Sequence, residues 1–470
     1  MTSQILSKKD QQNNQNNSQH DNLKGTYYEE TFQQLVEAIQ SQLTKNQHFT
    51  LSLSGEESQF TRFNHARVRQ TGQVRDGRMH LSVMTCDRTT STTLPFTGNF
   101  TTDWSLTRLT LSQLQQDLCV LPIDPYIVLP SATDSPTSRE VRRGSLMATT
   151  EVADRLLDPV RLLDFSGLYA GGLSYRAYAD SAGRQHWFET PSFTLDYSLF
   201  GSRLDQAVKG TIAGSHWGAE AYRTNIAATQ KRLELLSRPV KTVSKGSYRT
   251  YFAPAAVAEI IETIAWGGLG EAALRQGNSA FSKLEQGEVA LSKKFSLSED
   301  FSRIGIPRFN DSGEIPPSHL PIIEQGKWAS SLVSRRSAKE YGKPSNAASA
   351  RESMRSPTVA TGNLSEAQIL SRLGTGLYLS NLHYLNWSDI AAGGITGMTR
   401  YACFWVENGE IVAPIENLRF DDNLYRFLGE GLIDFTEQQT FIPAVGTYNQ
   451  RSLGGMWVPG MLVEQFRYTL

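Results

Sequence analysis

The sequence predicts an α+β protein, with an N-terminal helix-and-antiparallel-sheet domain followed by a mostly β C-terminal domain. Three observations carry this prediction. Residues 27–45, YYEETFQQLVEAIQSQLTK, place Phe32, Leu35, Ala38, Ile39 and Leu43 at helical spacing. Residues 48–86 alternate apolar and polar side chains between glycines, a hairpin-rich antiparallel pattern. Beyond about residue 285, short strands and turns continue to Leu470 without a fixed repeat period.

Residues 1–24 are rich in Asn, Gln, Ser and Lys and poor in apolar residues, the composition of a disordered tail. A domain over 25–240 follows. It opens with the helix and hairpins above and continues with a helix at LTLSQLQQDLCVL, residues 109–121. Pro- and Ser-rich connections come next. LSYRAYADSAGRQHWFETPSFTLDYSLF, residues 173–200, reads as two strands around a turn at Ser181–Gly183. Residues 218–240 read as a helix ended before Pro239. The second domain, 241–470, starts with a strand running into a helix, GSYRTYFAPAAVAEIIETIAW, with Pro254 near the helix start. RYACFWVENGEIVAPIENLRF, residues 400–420, is a hairpin with its turn at Asn408-Gly409.

Lys+Arg number 46 against 47 Asp+Glu, a formal net charge of -1. That balance gives no global pull toward nucleic acid or an anionic membrane. No apolar run approaches the length needed to span a bilayer, and the start lacks the apolar core of a secretory signal. Cys86, Cys119 and Cys403 are far apart and form no CxxC pair. A cytoplasmic protein with reduced thiols is the expectation.

No histidine pairs with another at i, i+3 or i+4, and HExxH, GxSxG, Walker and GxGxxG motifs are absent. The patch REVRRGS, residues 139–145, reads as a solvated loop. Asp311 and Glu314 flank a glycine turn in RFNDSGEIPP and, with His319, offer a possible independent hydrolytic set, although Asp-Ser-Gly is also ordinary turn chemistry. The stretch AEIIETIAWGGLGEAALRQGNSAF, residues 258–281, sets Glu259 and Glu262 on a helix before Gly267, Gly268 and Gly270, with Glu271 next. It reads either as the edge of a site or as a packed helix with a wet face.

Several segments in order resemble the TldD/PmbA family, named for metalloprotease activity and for modulation of DNA gyrase. They are SGEESQFTRFNHARVRQTG, YADSAGRQHWFETPSFTLDYSL, RQGNSAFSKLEQGEVALSKKFSLSED, PRFNDSGEIPP, IIEQGKWASSLV, ARES at 350–353 and GGITGMTRYACFWVENGEIVAPIENLRF. The resemblance implies two kinds of member. TldD-like chains carry HExxxH on a helix, two zinc-binding histidines around a glutamate base, with a later cysteine as a further ligand. Counting back from Gly277, that window falls on ETIAWG. Glu262 stands at the first histidine position, Thr263 at the glutamate and Gly267 at the second histidine, and no cysteine follows Cys403.

The chain therefore resembles the PmbA/TldE-type member. The resemblance implies no zinc or other cofactor of its own and a cytoplasmic heterodimer with a TldD-like zinc metallopeptidase subunit. The complex would act on unfolded peptides, with no membrane or direct nucleic-acid partner. Phe404, Trp405, Asp311 and Glu314 are candidates for peptide binding or the subunit interface. The alternatives are a regulatory protein of the gyrase-modulator type and an independent peptidase with another constellation.

Overall fold

Period-two alternation builds a first, mostly antiparallel sheet whose two faces meet different neighbours. The computed structural model describes residues 27–131, 136–201, 206–266, 268–303 and 305–469. The tail expected at 1–24 and the candidate Gly267 lie outside the described residues. Helix α1 covers residues 27–42. The first sheet contains β1 (His48–Asn64), β2 (Arg67–Met84), β3 (Thr89–Pro95), β4 (Thr137–Val141), β5 (Asp164–Asp180), β6 (Gln185–Phe200) and β7 (Ala207–Gly214). Their order is β3-β2-β1-β5-β6-β4, with β7 on the other half of the β6 edge. Helices α2 (Phe100–Asp117), α3 (Val152–Leu157) and α4 (Ala219–Leu236) complete this half.

Odd-numbered side chains of β1, β5 and β6 face these helices. Leu51, Leu53, Tyr175 and Trp187 pack with Phe32, Leu35 and Ile39 of α1 and with Leu111 and Leu114 of α2. At the other end, Phe165, Tyr169, Phe193 and Leu195 pack with Leu156 of α3 and with Tyr222 and Ile226 of α4. Even-numbered residues on the opposite face include Glu56, Ser58, Ser174 and His186, all buried.

The local structure departs from the sequence reading in three places. Helix α2 begins nine residues before the expected 109, because the Asn99 side chain accepts from the Thr102 amide and caps a threonine-rich first turn. The glycines of the first hairpin are inside strands, not turns. The turn is His65–Ala66, with φ of 48° and 50°, while a Cβ on Gly55 would lie 2.2 Å from the Tyr175 ring. The REVRRGS patch is partly a strand: Thr137–Val141 is β4, pairing parallel with β6.

The second sheet has thirteen strands. These are β8 (Gly246–Phe252), β9 (Leu297–Asp300), β10 (His319–Glu324), β11 (Lys327–Trp328), β12 (Pro357–Val359), β13 (Gly376–Leu379), β14 (Asn381–Asp389), β15 (Gly394–Arg400), β16 (Phe404–Glu407), β17 (Glu410–Pro414), β18 (Arg419–Asn423), β19 (Leu432–Pro443) and β20 (Gly455–Tyr468). Strand β20 is its hub, pairing with β8, β12, β18 and β19. The expected β16–β17 hairpin is present, with Asn408 (φ 52°) and Gly409 (φ 81°) in the turn. Helix α5 (Pro254–Trp266) packs on β14 and β20.

Two loops of the second half dock on the even-numbered face of the first sheet. The β19–β20 loop inserts Arg451. Its guanidinium donates to Glu56 Oε2 (3.1 Å), Ser58 Oγ (2.7 Å), Ser192 O (3.0 Å), Gly172 O (3.0 Å) and Ser174 Oγ (2.9 Å). The Arg451 and Glu56 side chains are 2% and 3% exposed. The loop at 309–314 stacks Phe309 on His186, with centroids 4.9 Å apart, and sets the Gly313 carbonyl 2.9 Å from His186 Nε2.

Candidate interdomain cleft

Helix α5 follows β8 directly and starts on Pro254, whose fixed φ suits the first helical position. Val257, Ile260, Ile261 and Ile264 face the core. Ala255, Ala258, Glu259 and Glu262 fall on another stripe at helical spacing. This stripe lines a cleft of about 1250 Å³ between the two sheets. The first half supplies Arg176 of β5, Lys209 of β7 and Arg232 of α4; the second supplies Arg355, Tyr378 and Phe404, among others.

The charge pattern inside is mixed. Burial raises the Glu259 carboxyl above its ordinary pKa, the Glu262 charge adds to this, and Lys209 opposes it. Burial lowers the Arg176 guanidinium to about 10, against the Glu56 charge. Arg176 donates to the Tyr175 (2.8 Å) and Gly55 (3.2 Å) carbonyls and is held to the sheet. The Arg355 side chain donates to the carbonyls of Pro307 (2.5 Å) and Phe309 (2.9 Å). Its backbone amide donates to Glu299 (2.8 Å), whose carboxyl burial pushes up to about 7.

The residues at the zinc-motif positions do not fit a metal. Glu262 is exposed on the cleft wall. Thr263 is buried, and its hydroxyl donates to the Glu259 carbonyl one turn back (3.0 Å), so it is used within its own helix. Among the described residues lining the cleft there is neither histidine nor cysteine. Nor do the described residues bring three His, Cys, Asp or Glu side chains together elsewhere. Neutral imidazoles and thiolates are the usual zinc ligands, and one carboxylate beside a self-bonded hydroxyl cannot replace them.

Gly268 and Glu271, after α5, are structural. Gly268 has φ 110°, and a Cβ there would lie 2.6 Å from Ser279 Cα. Glu271 is fully buried, accepting from Ser331 Oγ (2.5 Å), Arg275 Nε (2.7 Å) and Lys343 Nζ (2.8 Å). The stretch 258–281 is thus a cleft wall followed by a packed ion-pair junction.

The remaining candidates are scattered. Phe404 is 2% exposed and packs with Val208, Leu236 and Ala402, bridging the two halves of the chain at the cleft. Trp405 is half-buried; its Nε1 donates to Glu407 (2.6 Å), and Lys241 lies over its ring. Asp311 accepts from the Ala350 amide (3.1 Å). Glu314 accepts from Ser345 Oγ (3.3 Å) and has Arg335 at 3.8 Å, while burial raises its carboxyl. These contacts tie both acids into the loop that docks on β5 and β6, and His319 is exposed on β10. Sequence reasoning did not single out Arg176 and Lys209, because each looks like one polar position in an alternating strand.

Fold and cleft define an α+β protein of two sheets with a helix-walled cleft between them. Residues 245–469 match the family model of the PmbA/TldA metallopeptidase C-terminal domain, so this part of the chain is a domain of that family. Three crystal structures share the fold. TldE from Thermococcus kodakarensis superposes with a TM-score of 0.77 at 12% identity, covering 94% of this chain and 100% of its own. A putative modulator of a DNA gyrase from Thermotoga maritima gives 0.75 at 12% identity, covering 93% and 100%. A putative modulator of DNA gyrase from Bacteroides thetaiotaomicron gives 0.74 at 13%, covering 94% and 98%. No curated protein matches the chain in sequence. Among the described residues, no helix is long and apolar enough to cross a membrane.

Proposed function

We propose that this chain is the zinc-less, non-catalytic subunit of a cytoplasmic TldD/TldE-type metallopeptidase complex that acts on unfolded peptides. One observation carries the reading. The helix holding the zinc-motif positions walls a cleft of about 1250 Å³, yet it presents Glu262 there and turns a self-bonded Thr263 into the core. Such a wall can bind and shape a passage. Its described lining has neither the histidines nor the cysteine that would hold a water-activating zinc, which supports a binding role. In the complex, the zinc and the base belong to the TldD-like partner, and this chain contributes binding surface.

The test is co-expression with a relative that carries an intact HExxxH. The expected result is co-elution of the two chains and cleavage of an unfolded peptide by the pair but not by this chain alone. A relative that is fully active as a monomer and never co-elutes with this chain removes the proposal and leaves the regulatory reading.

A further inference from the structure

Beside the main cleft lies a second pocket of about 480 Å³. It opens between the β1–β2 hairpin, β5, β6 and β7, and its lining includes Arg62, Arg69, Lys209, Asp196, Ser198 and Tyr401. Lys209 lines both cavities, so the pocket adjoins the cleft.

The charges in this pocket do not cancel. Asp196 is its one carboxylate among the described lining residues. It is engaged by Lys209 Nζ (3.2 Å) and by Thr211 Oγ1 (2.7 Å). Arg62 and Arg69 have no carboxylate partner within ion-pair distance among the described residues. Elsewhere in the chain arginines commonly do, as at Arg139–Glu29 (2.8 Å) and Arg336–Asp124 (2.6 Å). The two are also held side by side by the backbone. The β1–β2 register shifts between Arg62 and Phe63, where Phe63 pairs with Val68 and Arg62 with Gln70. Arg69 is therefore the extra, bulged residue, and bulges re-aim side chains. Tyr401, on the far wall, has φ 64°, a conformation that costs free energy for a residue with a Cβ and is found preferentially at binding sites.

Resting on the peptide reading above, we propose that Arg62 and Arg69 form a subsite for a carboxylate of the bound peptide. Guanidinium groups meet a carboxylate with paired, charge-assisted hydrogen bonds. The neighbouring cleft argues for a peptide over a polyanion. A nucleic acid running past Lys209 would meet Glu259 and Glu262, and two free arginines cannot supply the several phosphate contacts it needs. A mostly neutral chain carrying one carboxylate fits both cavities. That carboxylate is either the C-terminal one or an acidic side chain.

The experiment uses the full chain, alone and as the co-purified complex. Fluorescence anisotropy would follow three labelled unstructured decapeptides of Gly, Ser and Ala. One has a free C-terminal acid, one a C-terminal amide, and one a C-terminal amide with a central Glu. Arg62→Ala/Arg69→Ala is compared with wild type, and Arg62→Lys/Arg69→Lys serves as the charge-preserving control. Both sites are exposed, and circular dichroism checks the fold. The expected result is that the acid peptide, the Glu peptide or both bind about tenfold or more tightly than the plain amide. The alanine pair should abolish that preference, and the lysine pair should restore part of it. Which of the two peptides shows the preference identifies the source of the carboxylate. Equal binding of all three peptides, unchanged in the alanine pair, overturns the subsite while leaving the peptide-binding reading intact. Failure of every peptide to bind either preparation overturns both.

Discussion

Replacing Arg451 by Met tests whether the contact between the two halves of the chain is a major source of stability. Arg451 and Glu56 are almost fully buried together, and the guanidinium reaches six acceptor atoms on three strands of the first sheet. Methionine keeps much of the volume but leaves the Glu56 carboxylate buried without its counter-charge. Breaking one partner of a buried pair costs about 3–5 kcal/mol. Glu56 retains Ser58 Oγ (2.7 Å) and the residue 451 amide (3.1 Å) as donors, which places the expected loss near the lower end. Urea unfolding at neutral pH, followed by intrinsic fluorescence, would measure it. The double variant Glu56→Gln/Arg451→Met removes the stranded charge and should recover a substantial part of the loss. A single-variant cost under about 1 kcal/mol, the scale of an exposed pair, would refute the argument. So would a double variant no more stable than Arg451→Met.

Glu299, raised to about 7 by burial, binds its proton more tightly in the folded protein than in the unfolded chain. Its contribution is therefore fully present below the ordinary carboxylate pKa and falls by up to about 3 kcal/mol as pH rises through about 7; urea midpoints at pH 5 and 8 should show this fall in wild type and not in Glu299→Gln. Gly55→Ala drives a methyl into the Tyr175 ring, which is stacked between Tyr28 and Trp187, and should lower stability by about 1–3 kcal/mol in thermal unfolding. Thr263→Val deletes only a hydroxyl bonded to its own helix; stability should change by less than about 1 kcal/mol, and co-purified complex should keep its peptidase activity, whereas loss of activity without loss of stability would assign that hydroxyl a chemical role. Metal analysis of the purified chain should find no stoichiometric zinc, and one tightly held ion per chain, lost in Glu262→Ala, would contradict the reading of α5.

The parts of the fold that were legible in the sequence are those where one local rule acts alone. Asn408-Gly409 fixed its hairpin because both residues accept positive φ. The helix over 27–42 announced itself by spacing. The turn at His65–Ala66 carries no such signal, since neither residue prefers that conformation and the long β1–β2 ladder imposes it. The polar half of the alternation in β1, β5 and β6 carried no sign that Glu56, Ser58 and His186 are buried, because the loops that cover them are distant in sequence. The cleft was legible only as one wall. The positions of Glu262 and Thr263 could be counted, but Arg176 and Lys209 meet Glu259 through the packing of the two halves, which no local pattern encodes.

The Arg451–Glu56 contact joins residues 395 positions apart. At about 5–20 residues per second, a ribosome needs on the order of 20–80 s to make the intervening chain. Throughout that interval the first sheet can form its helix-covered side but lacks the plug for its other side. The waiting surface holds serine hydroxyls, a carboxylate and an imidazole, which water satisfies, beside the Tyr178 and Phe188 rings that Phe309 and Leu453 later cover. Arrival of the β19–β20 loop then exchanges that water for one guanidinium, and closure of the cleft becomes a late event in the life of the nascent chain.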